Sequence, residues 1–273
     1  MILAVEECDA ANVAMCTPSE VGVLFEFPPL FPDSELWSWV TRTEVLILLA
    51  AIIPVVMVFV ALRKPKLVPG KFQLFIESVY NSIDQGISKD IIGPEGSRYT
   101  PYLISLFAFI FFGNIFEVTP FVNFPVTSRI ALPAFLALLT WFIFIIAGIS
   151  KQGLTYFGHL IWPPGIPIAL RPLVGVIEFV SVLFVRPFSL AVRLFANLVA
   201  GHTMLALLLS TAGIFIWGFI QGDLGFGKAL TGGAWFLLAL GIYVFEILVS
   251  YLQAYIFTLL SAVYIESSLH PEH

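Results

Sequence analysis

Charge is what this sequence has least of. Only 11% of its 273 residues are Asp, Glu, Lys or Arg, against 59% hydrophobic, whereas a soluble globular chain carries about 25% charged residues. That scarcity excludes an ordinary soluble fold, and a formal net charge of -5 argues against a nucleic-acid partner. Cysteine is nearly missing as well. Cys8 and Cys16 are the only two; an oxidising compartment would permit a disulfide between them, two unpaired thiols are the alternative, and spacing alone fixes no geometry. His159, His270 and His273 show no ligand grouping, so no metal is expected. No Walker-type phosphate loop is present, so nucleotide chemistry is not expected here and no cofactor is implied. The opening MILAVEECDAAN lacks the basic region of a cleaved signal and reads as part of the mature chain. An internal repeat is missing too, which disfavours an inverted-repeat transporter.

What fills the sequence instead is apolar run after apolar run. Several reach the roughly 20 residues that cross a hydrocarbon core of about 30 Å, and their continuity, without alternation, favours helices over a barrel. The spacing predicts an all-α membrane protein with about five membrane-inserted helices plus one amphipathic interfacial helix. Residues 1–44 form an acidic N-terminal segment, and 45–273 form the membrane domain. The first span, 45–62, ends against Arg63, Lys64, Lys66 and Lys71. By the positive-inside rule that cluster is cytoplasmic, which places the N-terminus outside and the C-terminus inside. Over 71–90, Phe72, Phe75, Ile76, Val79, Tyr80 and Ile83 recur at helical spacing between polar residues, the pattern of an interfacial helix. Spans at 102–118 and 131–149 make a hairpin, and the loop 151–171 contains WPPGIP, whose prolines cannot sustain a helix, with 159–168 touching the interface. The phenylalanines read as lipid-facing bulk.

The interval 173–220 carries no strong turn signal, yet as one helix it would be roughly 70 Å long, more than twice the bilayer. It is either two spans with a tight connection or one strongly tilted helix. A Gly-rich loop, QGDLGFGKALTGG, then leads to a last helix at 234–265, also overlong. These two segments hold most of the intramembrane polar residues, each costly in lipid and so a functional candidate. At about 100° per residue Glu178, Arg186, Ser189, Arg193 and Asn197 fall on one stripe, and Glu246, Ser250, Gln253 and Tyr264 on another. Arg193 is central because a guanidinium cannot be neutralised at any working pH. No acid on its own stripe lies within a turn, so its partner must come from another helix or chain. Ser189, Ala196 and Gly201 around it permit close approach of that partner. His202 and Glu246 form a second constellation able to exchange protons near neutrality. Arg186, beside Pro187, reads as interfacial.

The runs RPFSLAVRLFANLVAGH (Arg186 to His202) and FEILVSYLQAYIFTLLSAVY (Phe245 to Tyr264) resemble subunit a of the F-type ATP synthases. So do the segment Gly113-Asn114-Ile115-Phe116-Glu117 and the order of spans. The resemblance implies that the last two helices are long, continuous and strongly tilted. It further implies a non-catalytic stator channel with two half-channels beside a ring of c subunits, held with peripheral-stalk b subunits and the remaining synthase subunits. Arg193 matches the residue that separates the half-channels. Asn197, His202, Glu246 and Gln253 match polar positions of the outer half-channel, Asn114 and Glu117 positions near its mouth, and Glu178 and Ser181 the cytoplasmic half-channel; Tyr264 completes the candidate set. The spacing from Glu178 to Arg193 is one residue longer than the family pattern, and the acid and histidine at Glu246 and His202 stand exchanged relative to some members. A proton-coupled secondary transporter is the alternative function, and a structural scaffold subunit a third. The acidic leader favours a bacterial plasma membrane, with the mitochondrial inner membrane as the alternative.

Overall fold

The computed structural model describes residues 13, 15, 16, 41–64, 66, 68–119, 122, 126–153, 155–162, 167 and 170–270. Cys8, most of the acidic leader, most of the WPPGIP loop and His273 lie outside the described residues, as does the side chain of His159. Cys16 is disulfide-bonded.

Among the described residues every regular element is helical. Helix α1 covers Arg42–Leu62 and begins earlier than the apolar run because Thr41 and Glu44 cap it. The Thr41 N–H donates to Glu44 Oε2 at 2.9 Å, the reach-back half of a capping box. Helix α2, Lys71–Ile83, continues as a π-helical stretch, Asp84–Ile92. Phe72, Phe75 and Tyr80 stay exposed, as an interfacial helix with its apolar face toward lipid requires. Helix α3 is Thr100–Ile115, ending before the predicted 118. The chain turns there, with the Glu117 N–H bonded to the Asn114 carbonyl at 3.0 Å. Helix α4 is Ala131–Gln152.

A buried polar knot joins the π-helical stretch to the start of α3. Asp84 accepts from Lys89 Nζ at 2.5 Å and from Thr100 Oγ1 at 2.7 Å, and Ser88 Oγ donates to the Gly96 carbonyl at 2.6 Å. The hydrogen bonds from Lys89 and Thr100 hold the Asp84 carboxyl below its ordinary range. A lowered carboxylate contributes stability that is present above its unfolded value of about 3.9 and lost as pH falls through the folded value. Asp84→Asn is therefore expected to raise amide exchange across residues 84–100 about tenfold at neutral pH, since charge-assisted bonds are lost. Wild-type exchange should approach the variant's only below pH ~4; equal exchange at neutral pH would show that the knot holds nothing.

The loop 151–171 contains a short helix that the prolines had concealed: α5, Thr155–Ile161. Two glycines make room for it. The Tyr156 ring sits where a side chain on Gly148 would be, and the Ile161 carbonyl lies directly on Gly175. The next interval is one unbroken helix of 51 residues, Arg171–Gln221, made of α6 (Arg171–Val180), a π-helical stretch (Ser181–Val185) and α7 (Arg186–Gln221). This excludes the two-span alternative. At about 1.5 Å per residue it is roughly 76 Å long, which a bilayer accommodates only with steep tilt or overhang.

Helix α8 is Phe226–Leu269, and it begins eight residues before the predicted 234. The expected Gly-rich loop shrinks to a tight turn in which Gly222 takes φ 88°, a conformation that glycine adopts without strain. Gly232, read as loop, is a helical packing residue: a Cβ there would lie 2.9 Å from Phe215 Cβ. The contacts Gly218 to Leu224, Gly232 to Phe215 and Gly201 to Glu246 pair α7 and α8 as an antiparallel hairpin. Phenylalanine divides between two uses. Phe144, Phe215 and Phe257 are fully buried, while Phe59, Phe135 and Phe188 are exposed, so only part of this residue type is lipid-facing.

By density of internal packing the chain forms two units, each built from several segments. One holds residues 1–49, 113–128 and 196–252; the other holds 50–112, 129–195 and 253–273.

Candidate functional site

In the first unit the α7–α8 hairpin and the turn after α3 bring four of the predicted residues together. Asn114, Glu117, His202 and Glu246 are all buried, the first two completely. His202 Nδ1 lies 3.9 Å from Glu117 Oε1, so Glu117 is an acid beside this histidine. The sequence reading set Glu246 beside His202 and did not place Glu117 there; the turn at Asn114 brings Glu117 to the histidine. Glu246 packs against the glycine next to His202: a Cβ on Gly201 would fall 2.6 Å from the carboxyl carbon. Gly201 is thus a seat for an acid of its own chain, and not part of the outward small-residue surface expected for a partner.

The turn is well anchored. Thr127 Oγ1 donates to Asn114 Oδ1 at 3.0 Å, the Tyr243 hydroxyl donates to the Val118 carbonyl, and Arg42 donates to the Val122 carbonyl. Functional atoms are left over. Both Glu117 oxygens, Glu246 Oε2 and Asn114 Nδ2 have no hydrogen-bond partner among the described residues. Glu117 and Glu246 are also near enough to interact as like charges. Two buried carboxylates with open acceptor sites beside an imidazole can pick up and pass on protons; two fixed charges in lipid would be prohibitively costly. Asn197 is half-buried on α7, five residues before His202.

The second unit holds Arg193, Glu178, Ser181, Gln253 and Tyr264. Arg193 is exposed near the middle of the 51-residue helix. Among the described residues no carboxylate lies within the 4.0 Å of an ion pair with it. On the same side of α7, Ala196, Ala200 and Met204 are exposed and Ser189 half-exposed. Gln253 is buried with its amide nitrogen unpartnered. Glu178 and Ser181 are half-buried. Tyr264 carries Arg186 over its ring at 5.1 Å, and Arg186 also donates to Ser267 at 2.9 Å. Sequence reasoning had passed over Arg186 as interfacial; its signal was its place on the stripe of Arg193.

The π-helical stretch Ser181–Val185 separates Glu178 from Arg193. A count of about 100° per residue does not carry through it, because π-type bonding accommodates an extra residue per turn. The stripe that joined Glu178 to Arg193 therefore does not hold as drawn. The Val182 carbonyl within the π-helical stretch accepts a hydrogen bond from the Trp141 indole at 3.0 Å.

The sequence matches the family model described as ATP synthase A chain over residues 44–266. The chain belongs to the ATP synthase A chain family. It is similar to ATP synthase subunit a of Frankia alni, 40% identical over 86% of this chain and 80% of that protein. It is 37% identical to the Streptomyces lividans subunit a over 91% of this chain and 86% of the relative. To the Erythrobacter litoralis subunit a it is 40% identical, over 75% and 77% respectively. As an ATP synthase A chain it is a membrane subunit of the synthase complex, and four helices long and apolar enough to span, with the shorter apolar α3, fit that placement.

Proposed function

We propose that this chain is the proton-translocating stator subunit of the F0 sector of an F-type ATP synthase, non-catalytic in itself, which loads and unloads protons on a ring of c subunits. The observation that carries this reading is Arg193. A permanent cation at mid-helix, exposed on its own chain and with no acid within ion-pair distance among the described residues, calls for a counter-charge supplied by another protein. A ring carboxylate passing it loses its proton, because a neighbouring cation favours the charged form. Protons then cannot run straight from one aqueous phase to the other, and flow is tied to rotation. Glu117, His202, Glu246, Asn114, Asn197 and Gln253 form the outer access path, and Glu178 and Ser181 the cytoplasmic one. The N-terminus lies outside and the C-terminus in the cytoplasm of a bacterial plasma membrane, with peripheral-stalk b subunits alongside. Each proton moved through about 100 mV releases roughly 2.3 kcal/mol, so several are needed per nucleotide and the path must not leak.

Cysteines placed singly at Ser189, Ala196 and Ala200 test this. In the assembled synthase, with one cysteine also placed on each ring subunit, each is expected to crosslink to the ring under mild oxidation, with several times the yield of a cysteine at buried Leu198. Equal yields at all four positions, or crosslinks only within the chain, would remove the ring from the exposed face of Arg193.

A further inference from the structure

Helix α8 carries six serines and threonines, and five behave alike. Thr231, Thr258, Ser261, Ser267 and Ser268 each donate to a carbonyl three or four residues back, at 2.8 to 3.1 Å. In apolar surroundings this is where a helical hydroxyl turns, because an unmade bond leaves its desolvation uncompensated. Ser250 is the exception. It is fully buried, yet its Oγ has no partner among the described residues. The only buried hydroxyl of α7 in the same condition is that of Thr203, next to His202. Ser210 bonds to the Ala206 carbonyl, and Thr211 is tied to the backbone of Cys16.

Among the buried hydroxyls of α7 and α8, the two that forgo the backbone are thus those adjoining the proton-exchanging side chains; elsewhere Thr43 Oγ1 on α1 is likewise unpartnered. Ser250 lies one helical turn beyond Glu246, whose Oε2 is itself unpartnered, and three residues before Gln253, whose amide nitrogen is unpartnered too. Along α8 the sequence of open polar atoms runs Glu246, Ser250, Gln253, at the 3- and 4-residue spacing of one helix face.

We propose that Ser250 is a proton-relay residue on the outer access path, an inference that rests on the proton-conducting function proposed above. Its Oγ accepts a proton from the Glu246 side as its own hydroxyl proton passes to water on the Gln253 side. One O–H bond forms and one breaks, so the serine is returned unchanged once the hydroxyl rotates. A hydroxyl bound to its own backbone would lack the freedom to turn between the two.

The test uses the complete synthase reconstituted in vesicles, with proton flux measured per assembled complex. Ser250→Ala removes no protein hydrogen bond, so assembly is expected at wild-type level while flux falls about tenfold, the lower range for loss of a proton-transfer group. Ser250→Thr keeps a hydroxyl and is expected within about twofold of wild type. Glu246→Gln in the same preparation reports on the underlying reading. Wild-type flux in Ser250→Ala beside a slow Glu246→Gln would overturn the relay and leave the channel standing. Wild-type flux in both would overturn the outer path itself. A drop in assembled complex with Ser250→Ala, or a threonine variant as slow as the alanine, would make the hydroxyl structural and also defeat the proposal.

Discussion

Arg193→Ala is expected to lower ATP-driven proton pumping by the assembled synthase on the order of 100-fold, the scale on which loss of a preorganised charge is felt in a water-excluded site. The rate of ATP hydrolysis by detached catalytic heads should not change, because this chain is a membrane subunit remote from nucleotide chemistry. The reasoning is electrostatic. Without the guanidinium a ring carboxylate facing α7 keeps its proton, so the exchange that ties rotation to transport is not enforced, and imposed gradients should decay faster. Arg193→Lys separates charge from shape. An ammonium supplies a point cation but sheds its proton when desolvated, and it lacks the planar fork, so partial recovery at most is expected. Stability should barely respond in either variant, since Arg193 is exposed and no ion pair among the described residues is broken. Pumping at wild-type rates in Arg193→Ala, with normal assembly, would remove the central charge from the mechanism.

Much of this arrangement could be read from the residues, and the misreadings share a cause. Apolar continuity marks the spans, and a lone arginine in apolar sequence marks the residue proposed as the gate, because lipid penalises charge wherever the helix ends fall. Glycine was misread most. Gly232 and the residues around it looked like loop, and Gly201 looked like a surface for a partner, yet both are contact points inside the α7–α8 hairpin. One sequence letter stands for two opposite uses of a missing side chain, and only the opposing residue, Phe215 or Glu246, tells them apart. Helix α5 was hidden because its stability comes from Gly148 and Gly175, outside its own sequence. The pairing of Glu117 with His202 was hidden for a similar reason. It depends on where α3 stops, and a difference of three residues, 115 against 118, decides which way the acid points. The family resemblance supplied what periodicity lacked, namely that 173–220 is one helix; the π-helical stretch at Ser181–Val185 could be anticipated by neither propensity nor pattern.

Gly201 supports the second large prediction. Alanine there places a methyl group inside van der Waals contact of the Glu246 carboxyl, but the obstructed atoms are the far end of a flexible side chain. The carboxylate can swing aside at little cost, and alanine is the better helix former by about 1 kcal/mol. Gly201→Ala is therefore expected to assemble normally and to conduct protons about tenfold more slowly, because a displacement of about 1 Å at a transfer site is felt far more in rate than in stability. The cause can be checked by shortening the acid. Glu246→Asp alone should also slow conduction, since its carboxylate no longer reaches the wall of α7. Combined with Gly201→Ala it withdraws the carboxylate by one methylene from the new methyl. The double variant should then lose less than the product of the two single losses, the non-additivity that marks two residues in direct contact. Strictly multiplicative losses would mean that the two positions act apart, and unaltered flux in Gly201→Ala would mean that the seat of Glu246 has no part in proton passage.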